Sequence, residues 1–70
     1  SDSTETVMGY IKAVGYTTRQ QILSRFYRDV DPMTLGIIEQ TLQQMGVLKI
    51  ILIPNAKGGP DKSYEWIGGQ

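Results

Sequence analysis

Asp31-Pro32-Met33-Thr34-Leu35-Gly36-Ile37-Ile38-Glu39-Gln40-Thr41-Leu42-Gln43-Gln44-Met45-Gly46-Val47-Leu48 is the stretch that decides how this chain folds. Asp31 can accept a hydrogen bond from the open amides of a helix start, and Pro32 at the first helical position has no amide to leave unpaired. Val30, just ahead of the cap, can staple onto Leu35. Leu35, Ile38, Leu42 and Met45 then follow at spacings of 3, 4 and 3, an amphipathic seam that predicts a helix over 32–45. Gly46 ends it in the left-handed conformation that glycine enters without a Cβ penalty. Val47 to Ile53 is rich in β-branched residues and reads as a strand over 47–53.

Upstream, two more helical patterns are legible. In the first, predicted over 4–14, Val7, Ile11 and Val14 share one side and Gly15 caps the end. Its start in Asp2-Ser3-Thr4-Glu5 carries a small polar residue with Glu three positions on, a capping-box pattern. Gly9 weakens this helix by up to ~1 kcal/mol relative to alanine. The second, predicted over 18–28, opens on Thr17-Thr18-Arg19-Gln20 as a Thr-x-x-Gln box and buries Ile22, Leu23 and Phe26. Downstream, the two prolines and two glycines of segment 54–62 predict a loop. Ser63-Tyr64-Glu65-Trp66-Ile67 alternates as a returning strand over 63–67, and Gly68-Gly69-Gln70 reads as a frayed end.

Composition bounds the function. Seventy residues form one small domain, near the size where a single core is only just sufficient. With no cysteine and no histidine, there is neither a disulfide, a thiolate zinc site nor the commonest general base and metal ligand. The seven carboxylates form no convergent pair in the sequence, so the chain is expected not to be an enzyme and to carry no catalytic residue, metal or cofactor. Gly58-Gly59 lacks the spacing of a phosphate loop, and no small-molecule ligand is evident. Seven basic and seven acidic residues cancel, so no global cationic field draws the chain to nucleic acid. The run from Val47 to Ile53 is interrupted by Lys49 and is too short to cross a bilayer. No secretory signal is visible, which predicts a cytoplasmic or nuclear protein without membrane association. The opening on Ser1, with the first methionine at Met8, implies a domain of a larger protein.

Three helices followed by a strand pair is the order of the winged helix-turn-helix. Leu42, three residues, then Gly46-Val47-Leu48 resembles the end of that family's recognition helix, and Thr17-Thr18-Arg19-Gln20-Gln21-Ile22-Leu23 resembles the helix before it. The resemblance covers about residues 5–67 and is specific for the fold. Gly58-Gly59-Pro60 with an aromatic strand after it is similar to winged domains appended to phage and plasmid replication helicases or primases. The resemblance implies an α+β fold, a three-helix body with a C-terminal β-hairpin wing. It also implies a DNA-binding module of a transcription regulator or replication protein.

In that family the third helix enters the major groove and the wing reaches phosphate. Carried over, the outward residues of the third helix are Met33, Thr34, Ile37 and Gln40, with Gln44 further on. Thr34 is placed to bond a phosphate or base edge, and Gln40 to pair with adenine. Arg19 takes the family's phosphate contact in the second helix, and Lys57 and Lys62 bracket the wing tip. The third helix departs from a strong reader in having no Lys or Arg, its only charge being Glu39, which phosphate would repel. That departure motivates the competing expectation of a protein-docking winged helix.

Two further features have two readings each. Tyr64 and Trp66 either cover the sheet as core or rim, or stack on single-stranded bases. Ile51 and Ile53 share the Lys49 face of their strand. Either the first helix packs there, or the face pairs with a second copy or another domain. Arg25 and Arg28 read as a solvated face.

Overall fold

The computed structural model describes residues 3–54, 57 and 59–69. Three helices and a three-stranded antiparallel sheet follow in the order α1 (Ser3–Val14), β1 (Tyr16–Thr18), α2 (Arg19–Arg25), α3 (Pro32–Met45), β2 (Leu48–Ile53) and β3 (Asp61–Trp66). The fold class is α+β. The strands lie in the order β1-β3-β2, so β3 is central.

β1 is absent from the sequence reading. It is three residues long, too short for a period of two to register, and it exists because β3 offers Glu65, Tyr64 and Ser63 opposite Tyr16, Thr17 and Thr18. Trp66 also donates its amide to the Gly15 carbonyl at 2.9 Å. Because the strand runs on to Thr18, the helix cap falls on that last strand residue, one later than the sequence reading had it. Thr18 is the N-cap of α2, its hydroxyl accepting from the Gln21 amide at 3.2 Å while Gln21 Oε1 accepts from the Thr18 amide at 3.0 Å. Thr17 Oγ1 donates to the same Gln21 oxygen at 2.8 Å, which ties strand to helix.

α2 ends at Arg25, three residues short of the expected 28. Phe26 leaves helical geometry at φ −113°, ψ 30°. Its carbonyl then accepts from both Asp29 and Val30, at 2.9 and 2.8 Å, making the turn that delivers Asp31 to the start of α3. There Asp31 Oδ1 accepts from the Thr34 amide at 2.7 Å, with Pro32 at the first turn as expected. Gly46 closes α3 at φ 78°, its amide reaching the Gln43 and Leu42 carbonyls.

One core joins the layers: Val7 and Ile11 of α1, Ile22 of α2, Val30, then Leu35, Ile38 and Leu42 of α3, and Leu48 and Tyr64 of the sheet. Of the expected stripes, Leu23 and Phe26 are only partly buried against this core, and Val14 and Met45 lie outside it. Val14 is 47% exposed and Met45 is 55% exposed, each the last helical residue before a capping glycine turns the chain away. The seam of α3 is completed instead by Glu39, 6% exposed.

The hairpin is longer than expected at its far end. β3 starts at Asp61, opposite Ile53, so the connecting segment is 54–60 and Lys62 lies within the strand. The first strand begins at Leu48 rather than 47. The C-terminal glycines are not frayed among the described residues. Trp66 Nε1 donates to the Gly69 carbonyl at 2.7 Å, and a side chain on Gly68 would come within 2.5 Å of Val47 Cγ1. The Asp2 part of the α1 cap, Gly58 and Gln70 lie outside the described residues.

Asp31 makes the stability of α3 dependent on acid. Bonds from the Thr34 backbone and hydroxyl hold its carboxyl below the ordinary 3.8. A depressed folded-state pKa contributes stability that is present above the ordinary value and lost as the pH falls through the lowered one. Thermal melts across acid pH should therefore show the midpoint falling below about pH 4, and Asp31→Asn, which caps without titrating, should flatten that limb. Gly46→Ala should cost about 1 kcal/mol, because the added Cβ meets open space but is held in the left-handed region.

Candidate functional site

The surface carrying the residues singled out in the sequence is organised by α3, whose four inward residues set which side remains outside. Leu35, Ile38, Glu39 and Leu42 are buried. On the opposite side Met33 is 78% and Ile37 59% exposed, and Gln40 and Gln44 are also open to solvent. Thr34 is half-buried, its amide bound by Asp31. Thr41, on the flank, turns its hydroxyl onto the Ile37 carbonyl at 3.0 Å.

Glu39 is the residue the sequence misplaced. This carboxylate, the single charge on α3 and expected to repel phosphate, points into the body. Tyr64 donates its hydroxyl to Glu39 Oε2, and Lys62 Nζ donates to Oε1 at 2.9 Å. Register explains the convergence, since Lys62 and Tyr64 alternate onto the same face of β3 as Ile50 and Leu52 of its neighbour. Both carboxylate oxygens are thus engaged, which is the condition for burying a charge. The Tyr64 hydroxyl is raised well above its ordinary 10.0, first by burial, then by the bond to Glu39 and that group's charge, with Arg19 nearby opposing the shift. Spacing puts Glu39 on the seam's own face, four residues after Leu35 and three before Leu42, but a carboxylate there reads as a surface residue by its charge. Only its partners, 23 and 25 residues further on, mark it as interior.

Arg19, half-buried at the first position of α2, joins Leu52, Pro60, Asp61 and Lys62 around a shallow pocket of about 260 Å³. Lys57 is exposed in the segment between β2 and β3. Arg19 and Lys62 are therefore brought together. Lys62, expected at the wing tip, stands instead in β3 as half of an ion pair, its side chain 36% exposed and that of Glu39 8%.

Other cations lie over rings. Arg25 stands 4.7 Å from the Tyr10 ring centre, which meets Phe26 edge-on at 5.5 Å, and Arg28 stands 5.9 Å from Tyr27. The expected solvated arginine face is thus partly stacked. Tyr64 is wholly buried, which removes it from any stacking on bases, while Trp66 is half-buried with Lys12 at 6.0 Å. On the outer side of the sheet Lys49 is exposed and Ile51 is 40% exposed, so α1 does not cover that face; it packs on the Tyr64 side.

Among the described residues no group of His, Cys, Asp or Glu gathers that could hold a metal ion, and no helix is long and apolar enough to cross a membrane. Comparison with protein-family models, with curated proteins and with solved structures gives no match.

The Glu39 cluster can be tested by stability. Glu39→Ala should cost about 1–3 kcal/mol in denaturant unfolding, because it strands the buried Tyr64 hydroxyl. On the alkaline side, a raised tyrosine pKa contributes stability that is full below the ordinary value near 10.0 and lost as the pH climbs toward the raised one. Stability should thus fall above about pH 10, and Tyr64→Phe should abolish that limb.

Proposed function

We propose that this chain is a winged helix-turn-helix module that binds duplex DNA, serving a larger regulator or replication protein. In this reading α3 faces the major groove and the β2–β3 hairpin faces the phosphate backbone. The observation that carries it is the outward side of α3, exposed among the described residues at Met33, Ile37, Gln40 and Gln44 and cleared of its single acid by the bonds to Glu39. A helix that approaches a polyanion gains when the carboxylate along its own length is turned away from the groove, which leaves Asp31 at its N-cap as the acid nearest the approach.

The division of labour follows from the placement of charge. α3 carries no cation, so affinity must come from beside it: Arg19 at the start of α2, Lys57 in the hairpin connection and Lys62 at its base. Lys62 has to share its ammonium between phosphate and Glu39, which makes it the weakest of the three. Three phosphate contacts give modest affinity with a logarithmic salt slope of about −2.7. Such a module gains useful affinity by being joined to other DNA-binding parts.

A second reading, docking of a protein partner or a second copy, is favoured by the apolar outer edge of the sheet, where Ile51 is 40% and Leu52 69% exposed and Ile53 half-buried. The two readings separate by salt. An NMR titration with duplex DNA at low ionic strength should perturb Arg19, Thr34, Gln40 and Lys57. Perturbation confined to Ile51, Ile53 and Trp66 would favour the partner protein. Arg19→Ala and Lys57→Ala should each weaken binding alike on all sequences and reduce the salt slope by about 0.9. Lys62→Ala should weaken binding and also loosen the Glu39 cluster, lowering the melting temperature where the other two variants leave it unchanged.

A further inference from the structure

Met33, Ile37, Gln40 and Gln44 recur at intervals of 4, 3 and 4, which sets them in one line along α3. All four are exposed. Of the polar groups beside the line, Thr41 is engaged on its own helix and Glu39 by β3. What the line presents is two apolar tips followed by two primary amides, over about 16 Å at 1.5 Å per residue, or roughly five base-pair steps.

Gly36 adds an independent observation. It lies in the middle of α3, beside Met33, Ile37 and Gln40, where glycine weakens a helix. A Cβ built there would meet nothing within 4 Å, so packing within the chain does not require the glycine. Its missing side chain lowers the helix wall next to the line and lets another surface come close to the backbone.

The chemistry of the line selects among base pairs. Guanine is read through two acceptors by Arg or Lys, and α3 has neither. Adenine offers an acceptor and a donor that match a glutamine amide, and thymine offers a methyl group to apolar side chains. We propose that Met33, Ile37, Gln40 and Gln44 make α3 a reader of A·T-rich duplex in the major groove. Met33 and Ile37 lie against thymine methyls, and Gln40 and Gln44 bond adenine edges. The proposal rests on the DNA-binding reading above and adds to it the class of sequence recognised.

Fluorescence anisotropy at low salt with the full chain and short duplexes of equal length tests it. An A·T-rich duplex should bind about tenfold more tightly than a G·C-rich one. Replacing thymine by deoxyuridine, which deletes only the major-groove methyl, should weaken binding several-fold. The double variant Met33→Ala, Ile37→Ala should no longer sense that replacement while keeping its affinity for the G·C-rich duplex. Replacing adenine by 7-deazaadenine should weaken the parent chain but not Gln40→Ala, Gln44→Ala. Gly36→Ala should raise the melting temperature and yet weaken binding to the A·T-rich duplex. Equal affinity for A·T-rich and G·C-rich duplexes, or indifference to the thymine methyl, overturns the proposal; if that binding is still weakened by Arg19→Ala, the DNA-binding reading stands without it. Absence of binding to every duplex at low salt overturns both and points to a protein partner for the line.

Discussion

The bond pair from β3 to Glu39 governs how the rest of this molecule presents itself. A helix packed on a sheet by Leu35, Ile38 and Leu42 alone could roll by a fraction of a turn and still bury apolar surface, because hydrophobic contact has no direction. Hydrogen bonds do. With Tyr64 on one oxygen and Lys62 on the other, Glu39 sets the rotation of α3 about its axis. The same contact anchors the first turn of β3 to the helix. The outward line from Met33 to Gln44 is the complement of that constraint.

Such a cluster is worth less as net stability than as orientation. Taking a carboxylate out of water costs several kcal/mol, which the two bonds, one of them an ion pair, offset. Both bonds end on Glu39, so removing it unpairs Lys62 and the buried Tyr64 hydroxyl together. The cluster also spends the chain's charge in a telling way. Of seven cations, Lys62 is paired, and Lys12, Arg25 and Arg28 lie near aromatic rings. That leaves Arg19, Lys49 and Lys57 outside these contacts.

Much of the body was legible one residue at a time. Asp31-Pro32 announced the start of α3 because a capping carboxylate and a missing amide answer the unpaired donors of any helix. Gly15 and Gly46 announced helix ends because both take positive φ. Local rules of this kind read directly from sequence. They failed where a distant strand overrode them. Thr17 and Thr18 are equally good caps in isolation, and a strand that pairs through Thr18, with Thr17 buried inside it, leaves the role to its last residue. Lys62 read as loop until the register against Leu52 drew it into β3.

The amino-acid sequence by itself determined the three helices, the hairpin, the aliphatic seam and the absence of cysteine and histidine chemistry. These follow from side-chain period, capping and composition, which act within a few residues of one another. Only the tertiary structure decided that β1 exists, that Glu39 lies inside and that Tyr64 is core rather than a stacking platform. Those outcomes depend on groups more than twenty residues apart meeting across the sheet, and a buried charge can be recognised only when the partners that compensate it are in place.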